Sequence, residues 1–310
     1  MNRDKSVSSG ALLVSLAGVL WGTHGTIASF LPHALSPYTL SAIRLIIGSI
    51  GLYLFVIFTQ RRRVFTKRIL SNYTPSLIAA VALAFTQTAV YFSIQHAGVT
   101  IAATIFIATP PLFSGAYAFF IQKERQTLSW IISAILITIG CVSMALSGDV
   151  EVHGSSLLIG SVSAALAGAT WTVVGTFLKK LEHEASPLET VVIVMSGASL
   201  LLLPLALLTT GEIIISTQFI ILSLLLGIVS TSLPFFFFTT GVRHIRTSHA
   251  FIYGLSEPIT VGILGTLVLK ERLTTQGIIG YGFVLLGLLL FSIWEITSEK
   301  FSSSSLTTSQ

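Results

Sequence analysis

Charge is what this 310-residue sequence has least of. Asp, Glu, Lys and Arg make up 9% of it and apolar residues 53%, against roughly 25% charged residues in an ordinary soluble domain, so water cannot be the main surroundings. Cysteine occurs once, as Cys141, which excludes an internal disulfide framework and a Cys-rich metal site. No Walker-type phosphate loop and no H-E-x-x-H pair occurs, which removes direct ATP drive and zinc hydrolysis within this chain. No cofactor, no metal and no catalytic residue is expected. Strict polar–apolar alternation is also missing, and with it the signature of a membrane barrel.

What is there is a succession of apolar runs about 20 residues long, the length that crosses a hydrocarbon core as a helix. Ten spans are expected, at 11 to 31, 38 to 58, 74 to 95, 99 to 121, 128 to 147, 154 to 178, 187 to 208, 216 to 240, 247 to 269 and 275 to 295. Helix is the default, because lipid leaves each backbone amide to find its partner inside its own segment. The sequence thus predicts an all-α integral membrane protein with ten transmembrane helices. Arg3 and Lys5 ahead of the first run resemble the start of a signal peptide. That run exceeds the usual apolar core and lacks a clear small-x-small cleavage site, so a retained helix is expected. Residues 298–310 form a polar tail, expected to be disordered.

Orientation follows from the basic residues. With the N-terminus inside, fourteen of the 17 fall in cytoplasmic segments, Arg44 lies within a span, and only Lys270 and Arg272 fall outside. Both termini are therefore expected in the cytoplasm. The net charge of +5 needs no nucleic acid, since basic loops meet an anionic lipid leaflet.

One motif is written twice. IQKERQTLSWIISAILITIG at 121–140 is answered by VLKERLTTQGIIGYGFVLLG at 268–287. At the same offset Pro111 matches Pro258, Thr100 matches Thr247 and Ala103 matches Ala250. Upstream, after a three-residue length change, Trp21 matches Trp171, Gly25-Thr26 matches Gly175-Thr176 and Pro37 matches Pro187. Two related halves, 1–148 and 149–297, follow. Each holds five spans, an odd number, so the second enters the membrane from the opposite side and the repeats are inverted. Secondary transporters use this plan, with the site near the midplane where the repeats meet.

The pieces LWGTHGTIAS at 20–29, Arg44, TPPLFSGAYAFFIQKERQTLSWIISAILITIGCV at 109–142 and SEPITVGILGTLVLKERLTTQGIIGYGFVLLGLLL at 256–290 resemble the EamA-type branch of the drug/metabolite transporter superfamily. The resemblance covers nearly the whole chain. It implies ten helices in two inverted five-helix repeats, and export of amino acids, other metabolites or drugs across the plasma membrane. The second repeat opens with WTVVGT where the family has Trp-Gly, which puts close helix packing there in doubt.

Residues inside the spans carry the candidate site. Arg44 lies about 9 Å in from the outer edge at 1.5 Å per residue; a structural role and carboxylate binding both fit. Glu257 falls near the midplane, where a carboxylate is costly and by default functional, the other reading being a satisfied partner of a neighbouring helix. Trp21 and Trp171 suit an aromatic-lined cavity or core packing, whereas Trp130 and Trp294 stand at span ends as interfacial anchors. His24 fits a buried hydrogen bond better than a proton relay. Gln87 and Tyr91 share a helix face and, with Tyr253, complete the candidate substrate contacts. Pro110, Pro111 and Pro258 release the carbonyls of Phe106, Ile107 and Gly254, which would line a cavity or merely shape a kink. The two Lys-Glu-Arg motifs read as structural features beside helix starts, with Thr near the cap. The small-residue positions Gly18 and Gly22, and Gly277, Gly280, Gly282 and Gly287, are expected to permit close helix contact.

The expected function is a secondary transporter with a small-molecule substrate, in a lipid bilayer, with a proton as candidate coupling ion through Glu257. The alternatives are a sensor or scaffold without transport, and a membrane enzyme acting on lipid. The enzyme would need charged groups clustered at headgroup level. The only such clusters, at 61–68 and in the Lys-Glu-Arg loops, are explained by topology and capping.

Overall fold

The computed structural model describes residues 2–32, 35–60, 73–120, 123, 128–146, 154–181, 186–209, 215–242, 244 and 253–307. Every regular element among them is helical: α1 (Asn2–Gly22), α2 (His24–Ser29), α3 (Pro37–Gln60), α4 (Tyr73–Ala97), α5 (Val99–Phe120), α6 (Leu128–Leu146), α7 (Gly154–Leu181), α8 (Pro187–Thr209), α9 (Thr217–Leu224), a π-helical segment (Leu225–Ser232), α10 (Leu233–Gly241), α11 (Ser256–Leu267) and α12 (Thr275–Thr307).

Among the described residues, eight helices are long and apolar enough to cross a bilayer, and Val99–Phe113 is a shorter apolar helix. The chain is thus a multi-pass membrane protein. Of the expected span at 247 to 269, residues 247–252 lie outside the described residues. The 12 residues of α11 represent the rest. Helix α12 runs on to Thr307, so positions 298 to 307, expected as a disordered tail, are helical.

Two helices start in the same way. Ser36 Oγ accepts the Thr39 amide at 3.2 Å, and Ser186 Oγ accepts the Glu189 amide at 3.4 Å. Glu189 Oε2 in turn accepts the Ser186 amide at 2.8 Å, closing a reciprocal capping box. Pro37 and Pro187 follow at the first helical position, where a missing N–H removes no bond. These are the positions matched between the halves.

Packing joins the halves rather than closing each on itself. Helix α4 packs on α7, α6 on α12, α3 on α8, and α1 on both α10 and α11. The largest buried cluster contains Leu45 and Leu52 of α3, Leu83 of α4, Val174 of α7, and Val192 and Met195 of α8. Outward-facing Phe58, Phe120, Leu207 and Leu208 are exposed, as befits side chains that meet acyl chains. The approach of α1 to α11 depends on its small residues. A Cβ added at Gly22 would come within 2.9 Å of the Glu257 carbonyl and 2.8 Å of Thr260.

The doubled motif has a shared backbone form. Lys123 and Lys270 carry φ of 57° and 58°, the only positive φ values at non-glycine residues among those described. Glu124 and Arg125 lie outside the described residues. Glu271 departs from the expectation that it serves the helix start beside it. Its carboxylate accepts the backbone amides of Val99 at 2.5 Å and Thr100 at 2.9 Å, capping α5 in the other half. Thr274 takes the local role, accepting the Gly277 amide at 3.1 Å.

The proline carbonyls divide. Helix α5 continues through Pro110 and Pro111, and the Phe106 carbonyl lies against α7, where a Cβ at Gly168 would approach it to 2.7 Å. That carbonyl faces protein and shapes packing. Gly254, whose carbonyl Pro258 releases, stands beside open space: a Cβ there would meet nothing within 4 Å.

Candidate functional site

The site is built around Arg44 of α3, a guanidinium only 6% exposed. Its Nε donates to Thr231 Oγ1 at 2.9 Å, one terminal nitrogen to Gln87 Oε1 at 3.0 Å, and the other to the Ser230 carbonyl at 3.4 Å. All three acceptors are neutral. Gln87 belongs to α4 and the other two to the π-helical segment, so both halves of the chain hold one cation.

Local sequence explains why the second half can do this. Pro234 has no N–H, so the carbonyl four residues back, Ser230, loses its helical donor and is left for Arg44. The Thr231 hydroxyl donates to the Leu226 carbonyl five residues back at 2.9 Å, a reach that the wider π turn allows. Its oxygen keeps a lone pair for Arg44 Nε. Close approach sets the register: Ser232 Oγ donates to the Gly48 carbonyl at 2.9 Å.

His24 follows the break between α1 and α2. Its Nδ1 lies 2.8 Å from the Trp21 carbonyl, which can only accept, so Nδ1 carries a proton. Tyr91 of α4 meets this ring edge-on, with centroids 6.3 Å apart. Both residues are buried; among the described residues His24 Nε2 has no hydrogen-bond partner, and the Tyr91 hydroxyl faces the Arg44 side chain. Both lie within electrostatic reach of the Arg44 guanidinium. Glu257, at the start of α11, is partly buried and within reach of the same charge.

Beside Gln87 is a narrow apolar void lined by Leu83, Trp171, Met195, Thr231 and Phe235 among others, with about 10 Å³ of free volume, room for about one water. Trp171 also meets Phe106 at 6.3 Å. Trp21 packs edge-on against Phe235 and tilted against Phe238, each at 5.3 Å.

Of the residues expected at the site, the structure brings Arg44, Gln87, Tyr91, His24 and Glu257 around one charge. It sets Trp171 at the adjoining void and Trp21 behind it, on Phe235. No hydrogen bond or ring contact joins the Tyr253 side chain to this cluster; its carbonyl accepts the Ser256 hydroxyl at 2.8 Å. Thr231, Ser230 and Phe235 were not expected. Their signal was the run Ser230-Thr231-Ser232-Leu233-Pro234, three hydroxyls and a proline in the middle of an apolar span. Among the described residues no group of three or more His, Cys, Asp or Glu side chains could hold a metal ion.

Known proteins resemble the chain over nearly its full length. The uncharacterized transporter YwfM of Bacillus subtilis is 27% identical over 285 residues, 91% of this chain and 93% of its own. The threonine/homoserine exporter RhtA of Escherichia coli K12 is 27% identical over 278 residues, 88% of this chain and 87% of its own. A crystal structure of another protein shares the fold, with a TM-score of 0.67 at 15% identity over 94% of this chain and 99% of that one. The profile of the EamA-like transporter family matches twice, at residues 8–146 and 158–293, and the chain belongs to that family.

Proposed function

We propose that this protein is a secondary transporter, not an enzyme, that exports small metabolites such as amino acids or amphipathic drugs across the plasma membrane. Two inverted five-helix repeats, 1–148 and 149–297, alternate access to a site between them. The observation that carries this reading is the Arg44 cluster. A buried cation held by Gln87 from one half and by Thr231 and Ser230 from the other must be rearranged when the halves move. The void beside it is too small for an organic solute, as expected of a closed conformation.

Other observations support the parts of the proposal. Ten helices are the eight apolar spans, the shorter Val99–Phe113 and the α11 segment. The pairing of α4 with α7 and of α1 with α10 relates the third helix of each repeat to the first of the other, as a two-fold axis in the membrane plane requires. Cytoplasmic termini follow from the basic loops. Export is the direction in the name of the relative RhtA. Glu257 is the candidate for proton coupling, because it is the carboxylate within reach of Arg44.

Counterflow into proteoliposomes tests the function. With pooled amino acids, amines and cationic drugs outside, at least one labelled solute is expected to exchange against its unlabelled form. Absence of exchange by every pool would sink the transporter reading.

A further inference from the structure

A side-chain hydrogen bond joins α4 to α7 where the two helices flank the void. Thr86 Oγ1 of α4 lies 2.7 Å from Thr170 Oγ1 of α7, and Thr86 is fully buried. The two hydroxyls come from opposite halves of the chain. Each stands one residue before a wall of the void, Thr86 before Gln87 and Thr170 before Trp171. Gln87 is also the residue that accepts from Arg44.

The rest of this interface does little to fix the rotation of the helices. It is built of small and apolar side chains. Ala89, Val90 and Ala167 form one buried cluster, and a Cβ at Gly160 would come within 2.8 Å of Ala97. Small residues permit close approach in lipid, and hydrogen bonds between helices then select one arrangement. Ser163 Oγ also crosses the interface, donating to the Ala89 carbonyl at 3.0 Å. A carbonyl lies along its helix, whereas a pair of side chains requires both helices to present one particular face.

The other junction of this kind, α1 with α10, is held differently. The residue that matches Thr170 in the repeat is Leu20, which has no hydroxyl, and Trp21 rests on Phe235 and Phe238 at 5.3 Å each. Trp171 meets Phe106 at the longer distance of 6.3 Å.

A threonine hydroxyl carries one proton. If Thr170 donates to Thr86, Thr86 passes its own proton to the Ala82 carbonyl at 2.8 Å. In the opposite sense Thr170 donates to the Ala167 carbonyl at 3.0 Å. Loss of either hydroxyl therefore leaves the other with an acceptor in its own helix. What the bond between them adds is the setting of one helix against the other.

We infer that Thr86 and Thr170 are positioning residues for transport. Their bond holds α4 and α7 at the rotation that sets Gln87 and Trp171 around the void, and they act through these neighbours. The inference rests on the transporter reading and names residues that shape its site.

The first test uses the full chain in nanodiscs with Trp171 as its single tryptophan, Trp21, Trp130 and Trp294 each being replaced by Phe. Acrylamide is expected to quench Trp171 more strongly in Thr86→Val and in Thr170→Val than in the parent, and Thr86→Ser is expected to match the parent. Melting temperatures are expected to stay within about 4 °C, since no hydroxyl is left without an acceptor. Unchanged quenching in both Val variants overturns the inference. Loss of folded protein in proportion to lost exchange overturns it as well, since the bond would then serve stability alone.

The second test is counterflow with all four tryptophans in place, using the labelled solute that the parent exchanges from pooled amino acids, amines and cationic drugs. The KM for that solute is expected to rise about fivefold in Thr86→Val, in Thr170→Val and in the double variant alike, because all three lose the same interhelical bond. A double variant whose increase is the product of the single increases overturns the inference, and so does an unchanged KM beside changed quenching. A parent that exchanges no solute overturns the transporter reading and the role in transport with it, even where quenching shows that the pair positions Trp171.

Discussion

The Glu271 carboxylate accepts the Thr100 backbone amide at 2.9 Å, across 171 positions of sequence. A second bond, from the Val99 amide, makes the carboxylate a two-pronged cap on α5. Gly98 precedes it at φ +77°, a left-handed turn that lets α4 hand over to α5 with both amides facing outward. Glu271 is itself fixed by its own amide, which donates to the Gly265 carbonyl at 3.0 Å. The doubled motif therefore ties one half of the chain to the other.

Glu271→Ala is expected to destabilise the protein by about 2 kcal/mol, since charge-assisted bonds to helix-terminal amides contribute on that order. Glu271→Gln keeps one acceptor and is expected to lose about half as much. Thermal unfolding in detergent checks both; no change in either variant would show that the cap is not needed.

Thr231 tests the hold on Arg44 from the second half. Thr231→Val keeps the shape but leaves Arg44 Nε without its acceptor, and is expected to cost about 1–3 kcal/mol and to slow transport at least about tenfold. Thr231→Ser keeps the hydroxyl and is expected to stay close to the parent in both measurements. If the two variants behave alike, the hydroxyl does not position Arg44.

How much of this could be read from sequence depended on whether a feature was local. The helices were legible because apolar length alone decides them, and the matched Pro37 and Pro187 turned out to stand at two helix starts. The cluster at Arg44 was half legible. Arg44, Gln87, Tyr91 and His24 stand out as polar residues in apolar runs. Thr231 did not, because hydroxyls are common in helices that bond them back to the preceding turn. What set it apart is Pro234, which frees the Ser230 carbonyl at a distance. Glu271 was misassigned to the neighbouring helix start because its partners at 99 and 100 are near it only in space. The Phe106 carbonyl fitted either a cavity wall or a kink; a glycine at 168 brings α7 onto it, and no local pattern reveals that.

Trp171 stands where the void meets the core, against Phe106. Trp171→Ala is expected to reduce exchange at least about tenfold with the protein still folded and inserted, because a cavity wall loses contacts to substrate more than to helices. Size-exclusion profile and counterflow measured on the same preparation decide it. Equal loss of folded protein and of transport favours core packing.

Topology has its own check. Lys270 and Lys123 are expected on opposite faces of the membrane, Lys270 outside. Cysteines placed there singly on a Cys141→Ala background are expected to differ in labelling of intact cells by an impermeant maleimide, with position 270 reacting. Labelling at 123 alone would reverse the orientation.

Glu257 carries the sharpest distinction about energy. Helix α11 begins at Ser256, Gly18 and Gly22 let α1 come against its first turn, and the Glu257 carboxylate feels the Arg44 charge. A group that exchanges a proton for substrate must contact both the aqueous path and the substrate charge, and this one meets the second condition by its place. Glu257→Gln keeps the shape and most hydrogen bonding but cannot take up or release a proton. It is expected to abolish uphill transport driven by a pH gradient while leaving at least part of downhill counterflow. Concentration of substrate against its gradient by this variant would mean that no proton is moved through Glu257. Loss of uphill and downhill transport together, in protein that still folds, would mean that the carboxylate is needed for substrate to bind at all. Only survival of exchange without accumulation assigns it the coupling.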